Sequence, residues 1–111
     1  MIRLRGRSDF QRVRRTGKSW AHPLTVLLAG SNGLAHTRIG FVASKSVGGA
    51  VQRNRAKRRL RAELRAQSAR LDPGWDLVFV ARRPILNCSM PTLSAAVTEL
   101  LSRAGLLQSE L

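Results

Sequence analysis

Val51-Gln52-Arg53-Asn54-Arg55-Ala56-Lys57-Arg58-Arg59-Leu60-Arg61-Ala62-Glu63-Leu64-Arg65 is the most informative stretch of the chain. At about 100° per helical residue, Leu60, Leu64 and Leu71 fall on one stripe with Ala56 at its edge, and Lys57, Arg61, Arg65, Asn54 and Arg58 sweep round the adjoining flank. One side of such a helix can pack on a core while the other stays wet and positive. A merely solvated face interleaves Glu with Lys at helical spacing, and here only Glu63 supplies an acid. Arginine dominates, and its planar fork grips phosphate oxygens in pairs and stacks on bases, which an ammonium cannot do. The stretch therefore predicts a packed helix whose free flank binds polyphosphate.

The composition agrees. The 111 residues carry 20 Lys and Arg against 6 Asp and Glu, a formal charge of +14, and a field of that size favours an anionic partner. No apolar run approaches the roughly 20 residues needed to span a bilayer, and the basic helix has no Trp or Phe on its apolar side, so nucleic acid is expected rather than membrane. The N-terminal Met1-Ile2-Arg3-Leu4-Arg5-Gly6-Arg7 is basic, but no apolar block or cleavage site follows, which predicts an intracellular, cytoplasmic protein; residues 1–7 read as a basic arm whose order the sequence leaves open. A single cysteine, Cys88, reads as an ordinary small apolar residue.

The 43% of apolar residues suffices for one domain, and no repeat or linker marks a second. Ser8-Asp9-Phe10-Gln11 has the form of a capping box with Ser8 as N-cap, predicting a short helix over residues 9–15 that stops at Gly17. Leu24–Leu28 reads as a strand, Gly30-Ser31-Asn32-Gly33 as a tight hairpin, and residues 36–44 as the return strand, with Gly40 marking a bulge or a close approach. Gly48-Gly49 precedes the basic helix, which should run to about Arg70 before the Asp72-Pro73-Gly74 turn. Trp75–Ala81 is a buried strand closed by Arg82-Arg83-Pro84, and after Pro91 the spacing of Leu93, Val97, Leu100, Leu101, Ala104 and Leu107 predicts a helix over 92–107. The order α-β-β-(β)-α-β-α is that of an α+β two-layer sandwich.

Catalytic patterns are sparse. Gly48-Gly49 lacks the Lys and Ser or Thr of a nucleotide-binding loop. His22 and His36 have no Cys, Asp or Glu near them in sequence that would complete a metal set, and each reads as an ordinary histidine. A carboxylate nuclease would need two of Asp9, Glu63, Asp72, Asp76, Glu99 and Glu110 to converge on a metal.

The segment Lys45-Ser46-Val47-Gly48-Gly49-Ala50-Val51-Gln52-Arg53-Asn54-Arg55-Ala56-Lys57-Arg58 resembles the signature of the bacterial ribonuclease P protein component, with Arg53-Asn54-Arg55 at its centre. Ser8-Asp9-Phe10 with Val13 and Gly17, then Arg38-Ile39-Gly40, then Val80-Ala81-Arg82-Arg83-Pro84 resemble that family's first helix, central strand and last strand in order. The resemblance implies a ribonucleoprotein endonuclease that removes the 5′ leader of precursor tRNA. Its RNA subunit would hold the magnesium ions and do the chemistry. It also implies a left-handed β-α-β crossover around the basic helix. Arg53, Asn54, Arg55, Lys57, Arg58, Arg61 and Arg65 match the RNA-facing helix and the loop before it. Phe10, Val26, Leu28, Val42, Ser44, Lys45, Ala81 and Arg82 match a cleft for the single-stranded leader, the apolar members packing on sugars and bases and Lys45 and Arg82 meeting phosphates. For Phe10 and Val26, plain core packing is an equal alternative. Family members often carry aromatics where this chain has Arg14 and Leu28, which shifts the expected contact from stacking towards charge unless Trp20 swings in as a substitute. The alternatives are a structural RNA-binding protein of ribosomal type and a DNA-binding protein that uses the basic helix in a major groove; the latter would normally show a dimer or a second positioned helix.

Mutual repulsion among so many cations predicts an isolated chain stabilised by anions. Its thermal midpoint, followed by circular dichroism at low ionic strength, should rise on adding sulfate or phosphate; a sharp transition indifferent to both would contradict this.

Overall fold

Trp75-Asp76-Leu77-Val78-Phe79-Val80-Ala81 takes the centre of the fold because it is apolar on both faces. The computed structural model describes residues 1–108. In chain order its elements are β1 (Ile2–Arg3), α1 (Arg7–Thr16), β2 (Lys18–Ala21), β3 (Thr25–Ser31), β4 (Arg38–Val42), α2 (Ala50–Gln67), a 3₁₀ turn (Ser68–Arg70), β5 (Trp75–Ala81), a second 3₁₀ turn (Arg83–Leu86) and α3 (Met90–Arg103). The sheet order is β1-β4-β5-β3-β2. β4 runs parallel to β5 with α2 between them in sequence, so the expected β-α-β unit is present. No helix among the described residues is long and apolar enough to cross a membrane.

Strand alternation divides the side chains between two faces. Leu27, Ala29, Ile39, Phe41, Leu77, Phe79 and Ala81 join Ala56, Leu60 and Leu64 of α2 and Leu93, Val97, Leu100 and Leu101 of α3 in the larger core. Phe41 and Phe79 stack within it at 6.4 Å. On the other face Val78 packs with Leu4 and Val13 in a smaller cluster, bordered by Phe10, Leu28, Val42 and Val80. The class is α+β as expected, but α1 covers the second face in part, so a plain two-layer reading understates the layering.

Several local expectations change. The hairpin across Gly30–Gly33 does not form: β3 and β4 lie on opposite sides of β5, and the Asn32 amide donates to His36 O (3.1 Å) and Asp76 Oδ1 (3.0 Å). Burial of the most apolar strand between them outweighs the local turn preference. The hairpin that does form joins β2, unassigned in the sequence reading, to β3, and His22 shapes its turn by accepting the Leu24 N–H at 3.1 Å. Ser8 is not the N-cap of α1; that position is Gly6, with a φ of 96° that suits glycine. The basic arm is held too, since Ile2 and Arg3 pair with Arg38 and Ile39 and Leu4 is buried. α3 ends at Arg103, not 107, and the apolar period beyond it comes from a turn at Gly105 (φ 71°) that returns Leu106 to the core and pairs Leu107 with Leu71. The basic helix similarly ends at Gln67, with the 3₁₀ turn carrying the chain to Arg70.

Asp76 sits wholly buried at the start of β5. Arg38 donates to it through Nε (2.8 Å) and a terminal nitrogen (2.7 Å), Asn32 through its amide, and Arg12 of α1 through a terminal nitrogen. Asp9 lies 3.6 Å from both Arg12 and Arg38. Burial pushes the Asp76 carboxyl up, but the donors from Arg38, Asn32 and Arg12 outweigh it and hold the group below the usual carboxylate range. The Asp76 bond in turn raises the Arg38 guanidinium.

A folded-state pKa held below the unfolded one stabilises above the unfolded value, about 3.9, and that stability disappears as pH falls through the lowered folded value. Asp76→Asn should cost about 3 kcal/mol at pH 7 by leaving Arg12 and Arg38 without their counter-charge. The gap between variant and wild type, from urea midpoints, should shrink as pH drops below about 4; a gap independent of pH would contradict the assignment.

Candidate nucleic-acid interface

A glycine decides the shape of the cleft beside α1. A Cβ at Gly40 would lie 2.6 Å from Phe10 Cζ and 2.8 Å from Cε1, so the missing side chain lets the Phe10 ring settle against β4. The close approach read from Gly40 is thus made by a side chain rather than a backbone. Around the ring, Arg7, Gln11 and Arg14 of α1, Leu28 of β3, Val42 of β4 and Val78 of β5 enclose a cleft of about 440 Å³. Its floor is the apolar strand face and its wall is the polar flank of one helix. Such a groove suits single-stranded nucleic acid, whose bases and sugars pack on apolar surface while cations meet the backbone.

The second basic surface is α2. Ala56, Leu60, Leu64 and Gln67 are buried, which leaves Asn54, Arg55, Arg58 and Arg65 exposed and Arg53 and Lys57 partly so. Arg53-Asn54-Arg55 stands at the end of the first turn and the start of the second, where the Arg53 N–H closes onto Gly49 O at 2.9 Å and the positive end of the helix dipole is near. Arg61 lies with its guanidinium 5.7 Å from the Phe41 ring centroid. Burial, and then the neighbouring charges of Arg3 and Arg65, push its pKa down. Arg59 points to the other flank and donates to Leu86 O at 3.1 Å and to Cys88 O, pinning the second 3₁₀ turn. The basic helix therefore contains one structural arginine, one that is half structural, and a set of free cations.

The residues assigned to the cleft from sequence are only partly brought together. Phe10, Leu28 and Val42 line it. Val26 is half-buried two positions from Leu28 on the same strand. Ser44 and Lys45 are exposed just past β4, with Ser44 Oγ 2.7 Å from Ser46 Oγ. Arg82, exposed past the end of β5, reaches His22 O at 3.4 Å, beside the β2–β3 turn. Ala81 departs from the expectation: it is buried in the larger core, on the face away from Phe10. Trp20 departs likewise, because its register partner is Leu27 and it packs against that same larger core, so it is no substitute for a cleft aromatic. Arg7, Gln11 and Val78 went unassigned. Their signals were the i, i+4, i+7 spacing of Arg7, Gln11 and Arg14, and the alternation of Val78 with Val80.

Among the described residues no group of three or more His, Cys, Asp or Glu is placed to hold a metal. Asp9 and Asp76 do converge, but on Arg12 and Arg38. His22 pairs loosely with Glu99 at 3.5 Å. These side chains do not fit a magnesium site.

Gly40→Ala should displace the Phe10 ring and cost about 1–3 kcal/mol through overpacking. Combining it with Phe10→Ala should relieve most of that cost, because the clashing ring is gone. Strictly additive losses in denaturant titrations of the two single variants and the double would show that the ring and the glycine do not meet.

Comparison with known proteins accords with this geometry. The ribonuclease P family model matches residues 1–105. The chain is 45% identical to the ribonuclease P protein component of Roseiflexus sp. (strain RS-1), over 96% of this chain and 88% of that one. It is 42% identical to the same component from Dehalococcoides mccartyi (strain ATCC BAA-2266 / KCTC 15142 / 195), over 95% and 86%. Among solved structures, the RNase P protein of Staphylococcus aureus superposes with a TM-score of 0.85 at 27% identity, covering 97% of this chain and 99% of that one. That of Thermotoga maritima gives 0.83 at 30% identity, covering 93% and 97%. With a match over nearly its whole length in sequence and in fold, the chain belongs to the family of ribonuclease P protein components.

Proposed function

We propose that this chain is the protein subunit of a bacterial ribonuclease P, binding the catalytic RNA subunit through the free flank of α2 and the 5′ leader of precursor tRNA in the cleft beside α1. Family membership supports a role in tRNA 5′ processing within an endoribonuclease complex. The observation that carries the finer reading is the separation of two unpaired sets of cations. Among the described residues, Arg53, Arg55, Lys57, Arg58 and Arg65 of α2 have no acid within ion-pair distance, and neither do Arg7 and Arg14 of α1, whereas Arg12 next to them is held by Asp9 and Asp76. One set can hold a folded RNA while the other holds a single strand emerging from it.

In this reading the protein positions and the RNA subunit reacts. Magnesium ions in the complex are assigned to the RNA. The protein's contribution is affinity: cations that neutralise phosphates release counterions and let the assembled complex form at less magnesium.

Cleavage of precursor tRNA by a bacterial ribonuclease P RNA at low magnesium, with and without the protein, tests this. Wild type should stimulate strongly. Arg58→Ala/Arg65→Ala removes two exposed cations without touching the core, and should lose much of the stimulation and lower the log–log salt slope of RNA binding by about 2. Tight RNA binding with no stimulation would overturn the proposal in favour of a structural RNA-binding role.

A further inference from the structure

On the face of the sheet turned away from the cleft, one row of side chains stays low. Register places Trp20 of β2 beside Leu27, Lys18 beside Ala29, and Trp75 of β5 beside Ser31, so the Ala29 row lies between two rows that each carry an indole. With only a methyl group at Ala29 and another at Ala104, just after α3, a cavity of about 240 Å³ remains there, walled by Trp20, Trp75 and Leu106 and edged by Lys18. Both indoles are half-buried against the larger core. Neither indole N–H donates to another group among the described residues, so both are available to a ligand.

The rim is positive. Lys18 is exposed and, among the described residues, has no acid within ion-pair distance. Arg103, exposed at the end of α3, reaches the same edge strand, where it donates to Ala21 O at 3.0 Å. Glu99, the acid of α3, is turned to His22 instead. Aromatic walls, unused N–H donors and a cationic edge together match a nucleobase with its phosphate. The base offers a π-face to the indoles and acceptors to their N–H groups, and the phosphate meets Lys18. An apolar peptide side chain would use the walls alone, whereas the +14 field of the chain draws nucleic acid. A single lysine holds a free mononucleotide weakly; a strand adds flanking phosphates within the same field.

We propose that this cavity is a further RNA contact, holding one unpaired nucleotide of an RNA strand with its base over Ala29 against Trp20 and Trp75 and its phosphate at Lys18. The site lies at the outer edge of the sheet, apart from the cleft beside α1 and from the flank of α2, and does not depend on the leader occupying that cleft.

The chain has two tryptophans, both in this cavity, and no tyrosine, so its intrinsic fluorescence reads this site. The full-length protein is titrated, at a fixed sulfate concentration, with a tetranucleotide of adenosine, the same strand without its bases, adenosine 5′-monophosphate and inorganic phosphate. The tetranucleotide should quench the indoles saturably, and the abasic strand and inorganic phosphate should not. Adenosine 5′-monophosphate should quench only at concentrations about tenfold higher. Lys18→Glu, at an exposed position on an edge strand, should raise the tetranucleotide midpoint about tenfold, and Lys18→Ala should reduce the salt slope by about 1. Arg58→Ala/Arg65→Ala, on the flank of α2, should leave the midpoint where it is. Fluorescence indifferent to the tetranucleotide overturns the proposal, as does an equal response to the abasic strand or to phosphate, which reads charge alone. A midpoint that moves with Arg58→Ala/Arg65→Ala and not with Lys18→Glu overturns it as well. Adenosine 5′-monophosphate bound as tightly as the strand overturns RNA as the occupant.

Discussion

A single buried carboxylate ties the α1 face of the sheet together. Asp76 receives donors from β4 through Arg38, from the β3–β4 loop through Asn32 and from α1 through Arg12. In a chain of charge +14, an acid placed out of solvent among arginines is attractive from several sides, and losing Arg12 or Arg38 leaves charge less compensated in a poorly solvated place. The cluster fixes the height and rotation of α1 over the strands. Since α1 is also one wall of the cleft, the geometry presented to a ligand depends on an ion cluster that never faces it.

The sheet then does the sorting. Along β3, β4 and β5, alternate side chains enter the core under α2 and α3 or the floor of the cleft, so neighbouring residues have unrelated duties. Ala81 and Val80 illustrate this: one lies within the larger core, the other borders the smaller cluster. The same rule takes Trp20 out of consideration as a cleft residue. Gly40 is the exception that serves a face by absence, since its missing side chain is filled by the Phe10 ring.

The arginines divide by what satisfies them. Arg12 and Arg38 are bound to carboxylates, Arg59 to backbone carbonyls of a turn, and Arg61 to an aromatic face. These four hold the protein together and cannot all be counted as RNA contacts. What remains on α2 and on the cleft side of α1 is a smaller, more specific set, concentrated on two faces rather than spread around the molecule.

The helical register of Val51–Arg65, the buried strand Trp75–Ala81, the basic character and the α+β class were determined by the sequence alone, because each rests on local periodicity or composition that neighbours in space cannot alter. The family resemblance was legible for the same reason, in short motifs kept in order. Strand order was not, since Gly30–Gly33 looks like a hairpin from within, and only the competition to bury β5 moves β3 and β4 apart. Nor could the sequence show that Arg59 and Arg61 differ from Arg58, or that Arg7, Gln11 and Arg14 stand together over an apolar floor. Those facts depend on what each side chain meets across the fold, and that is settled by tertiary packing around Asp76 and Gly40.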